Sequence, residues 1–429
     1  MINDTNNGRG MSRRRVLGGA AALAAGLVGA SLAGTARADG RTDRVRLTLP
    51  EPTGPHEIGT VSLHLVDHGR QDPWLSTPRP RELMVSMWYP ARDDGDCRLA
   101  PWRTPAALAF YRERKALDLG ASLDNVDYPV THGREGAPVA RSAQPYPVVF
   151  YSPSGHEDRS IGTIQVEDLA SHGYVVVTIS HTYNAGEVEF PGGRVEHGQV
   201  FQGSPPPGYD GLTSDASVIL HRRDAQFVLD QITALNAGRN PDAGHRRLPD
   251  GLCRSMDLSR VGMFGHSFGG ATTMQTLAND GRFRAGINLD GSPVPEVPLL
   301  GNPQQDAELT AAIARRIGDR PFLVTSSMGR GPDSLGALTS GFWHGLTGWR
   351  RFLSLVGSAH GSYVDEGWLH NQMFAAGVIP NRPPGTIDPV RSVAAQRAYL
   401  GAFFDLWLRG RDNHLLDGPS ASYPEVLFF

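Results

Sequence analysis

The stretch RVGMFGHSFGG, residues 260–270, ends an apolar strand in a tight turn centred on Ser267. The segment that follows, 271–278, has the composition of a helix. Gly265 and Gly269 lie two positions before and after the serine, where any side chain would crowd against the strand or the helix. The sequence therefore predicts a strained turn that exposes the Ser267 hydroxyl. A chance match of common turn residues is the alternative, but it does not explain the strand and helix on either side.

Apolar segments on both sides of this turn predict the rest of the fold. Runs rich in β-branched residues alternate with helical segments, as in sheets of parallel strands buried on both faces. The predicted parallel strands are 148–151, 174–179, 260–264, 283–289, 321–326 and 349–356, and the predicted helices are 106–116, 164–172, 215–235, 271–278 and 393–408. Two earlier segments, 61–66 and 81–90, have the pattern of paired strands. We predict an α/β protein with a doubly wound, mostly parallel sheet and an antiparallel N-terminal strand pair.

A GxSxG sequence between a strand and a helix is the nucleophile elbow of α/β-hydrolases, which predicts that fold and makes Ser267 the candidate nucleophile. A serine hydroxyl is a weak nucleophile at neutral pH, so a histidine must take its proton and an acid must orient that histidine. His360 follows the last predicted strand of the sheet within the small-residue segment 357–361, and it is the candidate base. His344 and His370 are competitors, but neither follows a predicted strand.

Two aspartates are candidates for the acid that orients the base. Asp290 directly ends the predicted strand 283–289, whereas Asp333 lies farther from its strand in a glycine-rich loop. Asp290 is therefore the candidate acid, with a turn or helix-capping role as the alternative.

The oxyanion formed by serine attack needs two N–H donors. The backbone N–H of Phe268, next to the nucleophile, is the first candidate, and the loop after the strand 148–151 should supply the second. In that loop Pro153 has no N–H, so Ser154 is the preferred donor and Gly155 is the second choice. A structural turn without a donor is a third interpretation of this loop.

Three loops, 186–211, 291–306 and 366–388, are longer than simple connections and rich in Pro and Gly. In a doubly wound sheet such loops lie near the carboxyl ends of strands, so we predict that they cover the site. Exposed excursions without a role are the alternative.

The first 38 residues differ in kind from the rest of the chain. The segment SRRRVL, 12–17, precedes an Ala/Gly/Leu-rich run at 18–34 and the small-residue motif Ala-Arg-Ala at 36–38. Charged, apolar and small-residue regions in this order predict a cleaved export signal of the twin-arginine type. The mature protein, a single domain spanning 39–429, would then be secreted, periplasmic or associated with the cell wall. A membrane anchor is the alternative, but the apolar run is short and diluted by glycine.

Composition argues against several other classes of protein. The charges are mixed, with a net charge of −3 and no basic block outside the leader, which excludes nucleic acid as a favoured partner. No stretch after the leader is apolar for long enough to span a membrane. The two cysteines, Cys97 and Cys253, exclude a disulfide framework and a cysteine zinc site, although one bridge between them is possible. No HExxH motif occurs, and neither a metal nor a cofactor is predicted.

The motif GHSFGG at 265–270, an aspartate 23 residues after the serine, and a histidine after the last strand resemble the platelet-activating factor acetylhydrolases of the plasma and type II kind. The resemblance covers most of residues 50–410 and includes PVVFYSPSG at 147–155 and DLASHGYVVVTISH at 168–181. Lipases, dienelactone hydrolases and bacterial polyester hydrolases carry close relatives of GHSFGG, so the position of the acid makes the resemblance more specific.

The resemblance implies Ser267, Asp290 and His360 as the catalytic set, with Phe268 as an oxyanion donor. Those enzymes usually have Ser-His-Gly-Leu-Gly where this chain has Ser-Pro-Ser-Gly at 152–155, so the second donor does not carry over. The implied activity is that of a cofactor-independent serine esterase, which cleaves short acyl groups from small-molecule or lipid-like esters through an acyl-enzyme. A polyester or triacylglycerol hydrolase with the same machinery is the alternative, and an exported binding module without turnover is a more distant one.

Overall fold

The computed structural model describes residues 44–92, 95–199, 213–295, 297, 299–327 and 329–429, and this part of the chain alternates strands with helices as predicted. The strands are β1 (Val45–Arg46), β2 (Glu57–Gln71), β3 (Pro80–Ala91), β4 (Leu99–Pro101), β5 (Val126–Asp127), β6 (Val130–Glu135), β7 (Tyr146–Ser152), β8 (Val175–Ser180), β9 (Glu187–Glu189), β10 (Val195–His197), β11 (Met256–His266), β12 (Phe283–Leu289), β13 (Phe322–Ser327), β14 (Arg350–Leu355) and β15 (Val426–Phe428). The helices are α1 (Pro105–Leu119), α2 (Thr163–Ser171), α3 (Thr213–Asn236), α4 (Phe268–Asn279), α5 (Pro303–Ile317), α6 (Ala337–Gly345), α7 (Asp365–Ala375) and α8 (Pro389–Arg409).

One large sheet organises the described residues, with the strand order β15-β14-β13-β12-β11-β7-β8-β3-β2-β6-β4. Its central strands, from β14 to β8, pair in parallel. Strand β3 pairs antiparallel with both β8 and β2, and β15 closes the opposite edge antiparallel to β14. The predicted α/β class, the mostly parallel sheet and the antiparallel N-terminal pair are therefore confirmed.

The parallel strands are buried on both faces, which explains why they appear in the sequence as continuous apolar runs. Along β7, Val148 and Phe150 join the core on the side of α3, α4, α5 and α6. The alternate residues Val149 and Tyr151 join the core on the side of α1, α2, α7 and α8. Helices on both faces leave the carboxyl ends of the parallel strands as the edge at which polar side chains can meet.

Two of the predicted loops contain helices instead. The segment 291–306 runs into α5, because the side chain of Asn302 accepts hydrogen bonds from the N–H groups of Gln304 and Gln305 and Pro303 occupies the first turn. The segment 366–388 begins inside α7. Proline and glycine counts predicted loops here, whereas these residues mark where helices start and stop.

The third predicted loop, 186–211, is described only up to residue 199, and there it holds the antiparallel pair β9 and β10. The described residues from 44 to 429 form one compact unit. The predicted export signal at 1–38 lies outside the described residues. Within the part of the chain that is described, no helix has the length and apolar character needed to cross a membrane. Cys97 and Cys253 are both free thiols.

Candidate active site

Ser267 occupies the turn between β11 and α4, with a φ of 55° and a ψ of −116°. A positive φ is unfavourable for a residue with a side chain, and such strain is found at functional sites. A Cβ atom at Gly265 would overlap the backbone of Gly269, and one at Gly269 would overlap the carbonyl oxygen of Ser152. Both positions therefore require glycine, which is the reason the GxSxG spacing identified the turn.

Asp290 and His360 form a hydrogen-bonded pair at the same edge of the sheet. Asp290 directly follows β12, and His360 lies five residues after the end of β14. The Nδ1–H of His360 donates to Oδ2 of Asp290 at 2.7 Å. The other carboxylate oxygen of Asp290 accepts from the backbone N–H of Ser327, also at 2.7 Å. This arrangement fixes the tautomer of the imidazole, because the proton sits on Nδ1 and leaves Nε2 as the acceptor.

Backbone contacts bring Ser267 to this pair. The N–H of Ser267 donates to the carbonyl oxygen of Leu289, the residue before Asp290, at 2.9 Å. The ring of His266 lies against the ring of His360, with 4.5 Å between their centroids. Among the described residues, no hydrogen bond joins the Ser267 hydroxyl directly to His360. The His360 side chain is 55% exposed, so it has room to turn, and contacts between catalytic groups often tighten only when substrate binds.

The N-terminus of α4 and the loop after β7 form the candidate oxyanion site. The N–H of Phe268 is among the first amides of α4, which have no acceptor within the helix. A Cβ atom at Gly155 would lie 3.9 Å from Cβ of Phe268, so this loop packs against the elbow. The carbonyl oxygen of Ser154 accepts from the N–H of Glu157 at 3.2 Å, which shapes the loop into a turn. The amides of Ser154 and Gly155 both remain candidates for the second donor.

Asp333, the alternative acid, is engaged elsewhere. Its exposed carboxylate accepts from Nε2 of His344 at 2.9 Å and from the hydroxyl of Ser340 at 2.7 Å. These contacts tie the turn before α6 to that helix. His344, a competitor for the base, therefore pairs with Asp333 and not with the candidate acid.

His266, the second residue of GHSFGG, contacts the backbone of His360. Its Nε2–H donates to the carbonyl oxygen of His360 at 2.9 Å. Burial lowers the pKa of His266 to about 3, and the neighbouring His360 adds to this effect. A neutral His266 therefore holds the backbone of the candidate base, a contact that the sequence pattern did not predict.

A second set of a serine, a histidine and an aspartate is joined by hydrogen bonds beneath the oxyanion loop. The hydroxyl of Ser152, the last residue of β7, donates to Nε2 of His181 at 3.0 Å. The Nδ1–H of His181 donates to Oδ2 of Asp224, also at 3.0 Å. The three side chains are 0%, 1% and 0% exposed, so no substrate can reach this serine. The trio therefore positions the strand end that carries the oxyanion loop.

His221 connects this buried trio to the elbow. Its ring stacks on that of His181 with centroids 3.5 Å apart, and it meets the ring of Phe268 edge-on at 5.1 Å. Burial lowers the pKa of both histidines, so both rings are neutral. Burial opposes ionisation of Asp224, but Arg81 and Arg70 outweigh it and hold the pKa of that carboxyl well below its usual range. Both halves of the candidate oxyanion site thus rest on one stacked pair of neutral histidines.

Comparisons with known proteins address the identity of this arrangement. A family model described as platelet-activating factor acetylhydrolase, isoform II, matches residues 222–297, which include Ser267 and Asp290. A probable 1-alkyl-2-acetylglycerophosphocholine esterase from Arthroderma benhamiae is 25% identical, over 89% of this chain and 93% of the relative. A platelet-activating factor acetylhydrolase from Canis lupus familiaris is also 25% identical, over 86% and 82%. The chain is therefore similar to platelet-activating factor acetylhydrolases over most of its length, and it matches their family model around the elbow.

The chain is also similar to an esterase of a second kind, whose structure has been solved. The ferulic acid esterase from Streptomyces cinnamoneus is 33% identical and superimposes with a TM-score of 0.68, covering 89% of this chain and 99% of that one. The names of both groups of relatives describe enzymes that hydrolyse esters. The protein is therefore a carboxylic ester hydrolase.

Proposed function

We propose that Ser267, His360 and Asp290 are the nucleophile, base and acid of this esterase. The observation that carries the proposal is the 2.7 Å hydrogen bond from His360 to Asp290, formed beside a serine in a strained strand-to-helix turn. It supports an imidazole whose free Nε2 can accept the serine proton. Two amides near the serine, those of Phe268 and of Ser154 or Gly155, supply the electrostatic stabilisation that acyl transfer requires.

The reaction then takes two steps through an acyl-enzyme. Nε2 of His360 takes the proton of Ser267 as the oxygen attacks the ester carbonyl, and Asp290 stabilises the imidazolium that forms. The oxyanion of the tetrahedral intermediate accepts from the two amides, and the imidazolium gives its proton to the departing alcohol. Water, activated by the same imidazole, attacks the acyl-enzyme and releases the acid. The net change is hydrolysis of one ester to one acid and one alcohol.

The test replaces one serine at a time. Ser267→Ala should abolish hydrolysis of p-nitrophenyl acetate and labelling by a fluorophosphonate probe, without changing the melting temperature by more than a few degrees. Ser259→Ala, an exposed serine on the same strand, is the matched control and should keep both. Retention of most activity by Ser267→Ala would refute the assignment, and a labelled peptide containing Ser152 would show that the wrong serine had been chosen.

The proposed substrates are esters of short acyl groups on a lipid-like alcohol. This proposal is supported by the names of the curated relatives, which include esterases acting on 1-alkyl-2-acetylglycerophosphocholine. The higher identity to a ferulic acid esterase favours a second candidate, an ester whose acyl group is an aromatic acid. Rates on a short-chain phospholipid, methyl ferulate and a solid polyester, measured with one enzyme preparation, separate these candidates and the sequence-based polyester alternative.

We also propose that the protein leaves the cytoplasm through its twin-arginine leader. The support is the order of charged, apolar and small residues at 12–38. Replacing Arg13 and Arg14 together by lysine should hold the full-length chain in the cytoplasm, whereas the unaltered chain should appear outside it, shortened by about the length of the leader. Equal export of both chains would contradict this route.

A further inference from the structure

A cavity of about 450 Å³ lies over β2 and β3, away from the proposed catalytic set. Its lining includes residues of β2, β3 and β8 and the segments 102–104 and 158–160. The segment 189–193, which runs from the end of β9 towards β10, also lines it. The lining includes none of Ser267, Asp290 and His360. Its volume falls within the range of small-molecule sites, which is about 300–1,000 Å³.

Arg159 is one of two buried arginines in the lining of this cavity, with Arg103, and it has no carboxylate in ion-pair contact. Its residue exposure is 9%. Its Nε donates to the hydroxyl of Ser86 at 2.8 Å, and its Nη1 donates to the hydroxyl of Ser180 at 3.1 Å. Within the described residues, Nη2 makes no hydrogen bond and no carboxylate oxygen lies within the 4 Å of an ion pair. A guanidinium stays charged in proteins, so it cannot escape the cost of burial by losing its proton.

The other buried arginines in the described part of the chain are paired. Arg81 contacts Asp72 and Asp224 at 2.8 Å and 2.7 Å. Arg103 contacts Glu157 and Glu187 at 2.8 Å and 2.5 Å, and Arg397 contacts Asp168 at 3.4 Å. Burial lowers the pKa of Arg159 and of Arg397, whereas at Arg81 and Arg103 the carboxylates outweigh burial and raise it. Among these four arginines, Arg159 is the one without a carboxylate in ion-pair contact.

The remaining charged groups around the cavity already have partners. Arg98 pairs with Glu135 at 2.6 Å, and Arg247 pairs with Asp250 at 3.0 Å. Arg246 pairs with Asp242 outside the lining. The carboxylate of Glu189 accepts from the first amides of α1, and that of Asp158 contacts Arg103 and Ser160. Asp158 and Glu189 still raise the pKa of Arg159 from a distance, but neither forms an ion pair with it, so its guanidinium is left to contact a molecule that enters the cavity.

The other lining residues indicate which further groups a ligand of this cavity would contact. Apolar and aromatic side chains face the cavity beside the guanidinium, namely Met84, Trp88, Trp102, Phe190 and Pro191. Hydroxyl groups of Thr60, Ser62 and Thr178 add a few polar contacts. Apolar and aromatic surface beside a guanidinium that has no ion-pair contact suits an anion that carries an apolar body. The free Nη2 beside Nη1 offers the two parallel donors that a carboxylate accepts.

We propose that this cavity binds a small organic carboxylate, aromatic or short aliphatic, with Arg159 as its anchor. The site is separate from the ester-cleaving site, and the proposal does not depend on the assignment of Ser267. Benzoate is the probe, and benzamide, which has the same shape without the charge, is its neutral control.

The experiment measures binding by saturation-transfer NMR and by titration, on the native enzyme and on enzyme capped at its nucleophile with a fluorophosphonate. Benzoate should bind both forms, and benzamide at least about tenfold more weakly, since an unpaired buried guanidinium prefers an anion. Failure of benzoate to bind the native enzyme, equal binding of benzamide, or loss of binding on capping would each overturn the proposal. Failure of the probe to label Ser267 would instead count against the catalytic assignment, and benzoate binding to the native enzyme would still be informative.

Variants then test the anchor. Arg159→Gln keeps donors for Ser86 and Ser180 but removes the charge, and it should lower benzoate affinity at least about tenfold. Arg159→Lys keeps the charge and should bind benzoate in preference to benzamide, so this variant remains informative if Arg159→Gln does not fold. Arg315→Gln, an exposed arginine on α5 that pairs with Glu308 outside the lining, is the matched control and should leave binding unchanged. Benzoate affinity unchanged in a folded Arg159→Gln protein would refute the assignment.

Discussion

The hydroxyl of Ser152 donates to Nε2 of His181 at 3.0 Å, deep beneath the loop that carries the candidate oxyanion donors. Since His181 is held in turn by Asp224 and stacks on His221, the end of β7 has a fixed position relative to the elbow. Electrostatic stabilisation of a transition state depends on donors that are already in place. The rate of ester cleavage should therefore depend on this buried contact.

His181→Phe should lower kcat by about 10- to 100-fold with little change in KM, because a displacement of about 1 Å in a positioned group can cost that much. Phenylalanine keeps an aromatic ring against His221 but loses both hydrogen bonds. The inhibition constant of a trifluoromethyl ketone, which forms a tetrahedral oxyanion on serine, should rise in parallel with the loss in kcat/KM. His181→Gln, which can accept from Ser152 and donate to Asp224, should recover part of the rate. A loss of stability with unchanged kcat would assign the contact to folding alone.

Asp290→Asn should lower kcat by roughly 10⁴-fold, because an amide at this position favours the wrong tautomer of His360. The matched control is Asp333→Asn, which removes the charge from a surface contact with His344 and should leave kcat within about twofold. Steady-state rates on p-nitrophenyl acetate measure both variants. The reverse order of effects would reinstate Asp333 as the acid.

Gly269→Ala should destabilise the protein by about 1–3 kcal/mol or displace the oxyanion loop, since the added methyl group overlaps the carbonyl oxygen of Ser152. Gly281→Ala is the control, because nothing lies within 4 Å of a Cβ atom at that exposed position. Urea denaturation and kcat are measured on both variants. Wild-type stability and rate in Gly269→Ala would show that the elbow has more room than the structure gives it.

The free energy of unfolding should fall as the pH is lowered from 6.5 towards 3, partly because of His266. Burial lowers the pKa of this histidine to about 3, so unfolding takes up a proton throughout that interval. Stability therefore rises with pH between the two values, by about 1.4 kcal/mol per pH unit for each such group. His266→Gln, which can still donate to the carbonyl of His360, should reduce this slope by about 1.4 kcal/mol per pH unit in urea titrations between about pH 4 and 6. An unchanged slope would mean that His266 is protonated in the native state.

The fold and the candidate nucleophile could be predicted from the sequence, because both depend on local patterns of residues. Glycines at 265 and 269 are required by contacts within a few residues, and β-branched runs are required by burial on both faces. Asp290 and His360 could be predicted because each follows a strand of the same sheet. The pairing of these two residues at 2.7 Å depends on the order of the strands, which the alternation of elements constrains.

Other features depend on contacts between distant parts of the chain, and the sequence did not predict them. His181 follows a β-branched strand just as a catalytic histidine does, and only its 1% exposure shows that substrate cannot reach it. The isolation of Arg159 is likewise a matter of which carboxylates are near it in space. The α5 helix was missed because Asn302 and Pro303 were counted as loop residues, although they are also strong signals for a helix start.

The buried trio has a practical consequence for finding enzymes by shape. A search for a serine, a histidine and an aspartate joined by hydrogen bonds would select Ser152, because both hydrogen bonds of its trio are formed. It would miss Ser267, whose hydroxyl has no hydrogen bond to His360 among the described residues. Spacing alone would thus nominate a serine sealed inside the protein. In this fold, access from solvent to the hydroxyl distinguishes a catalytic serine from a structural one.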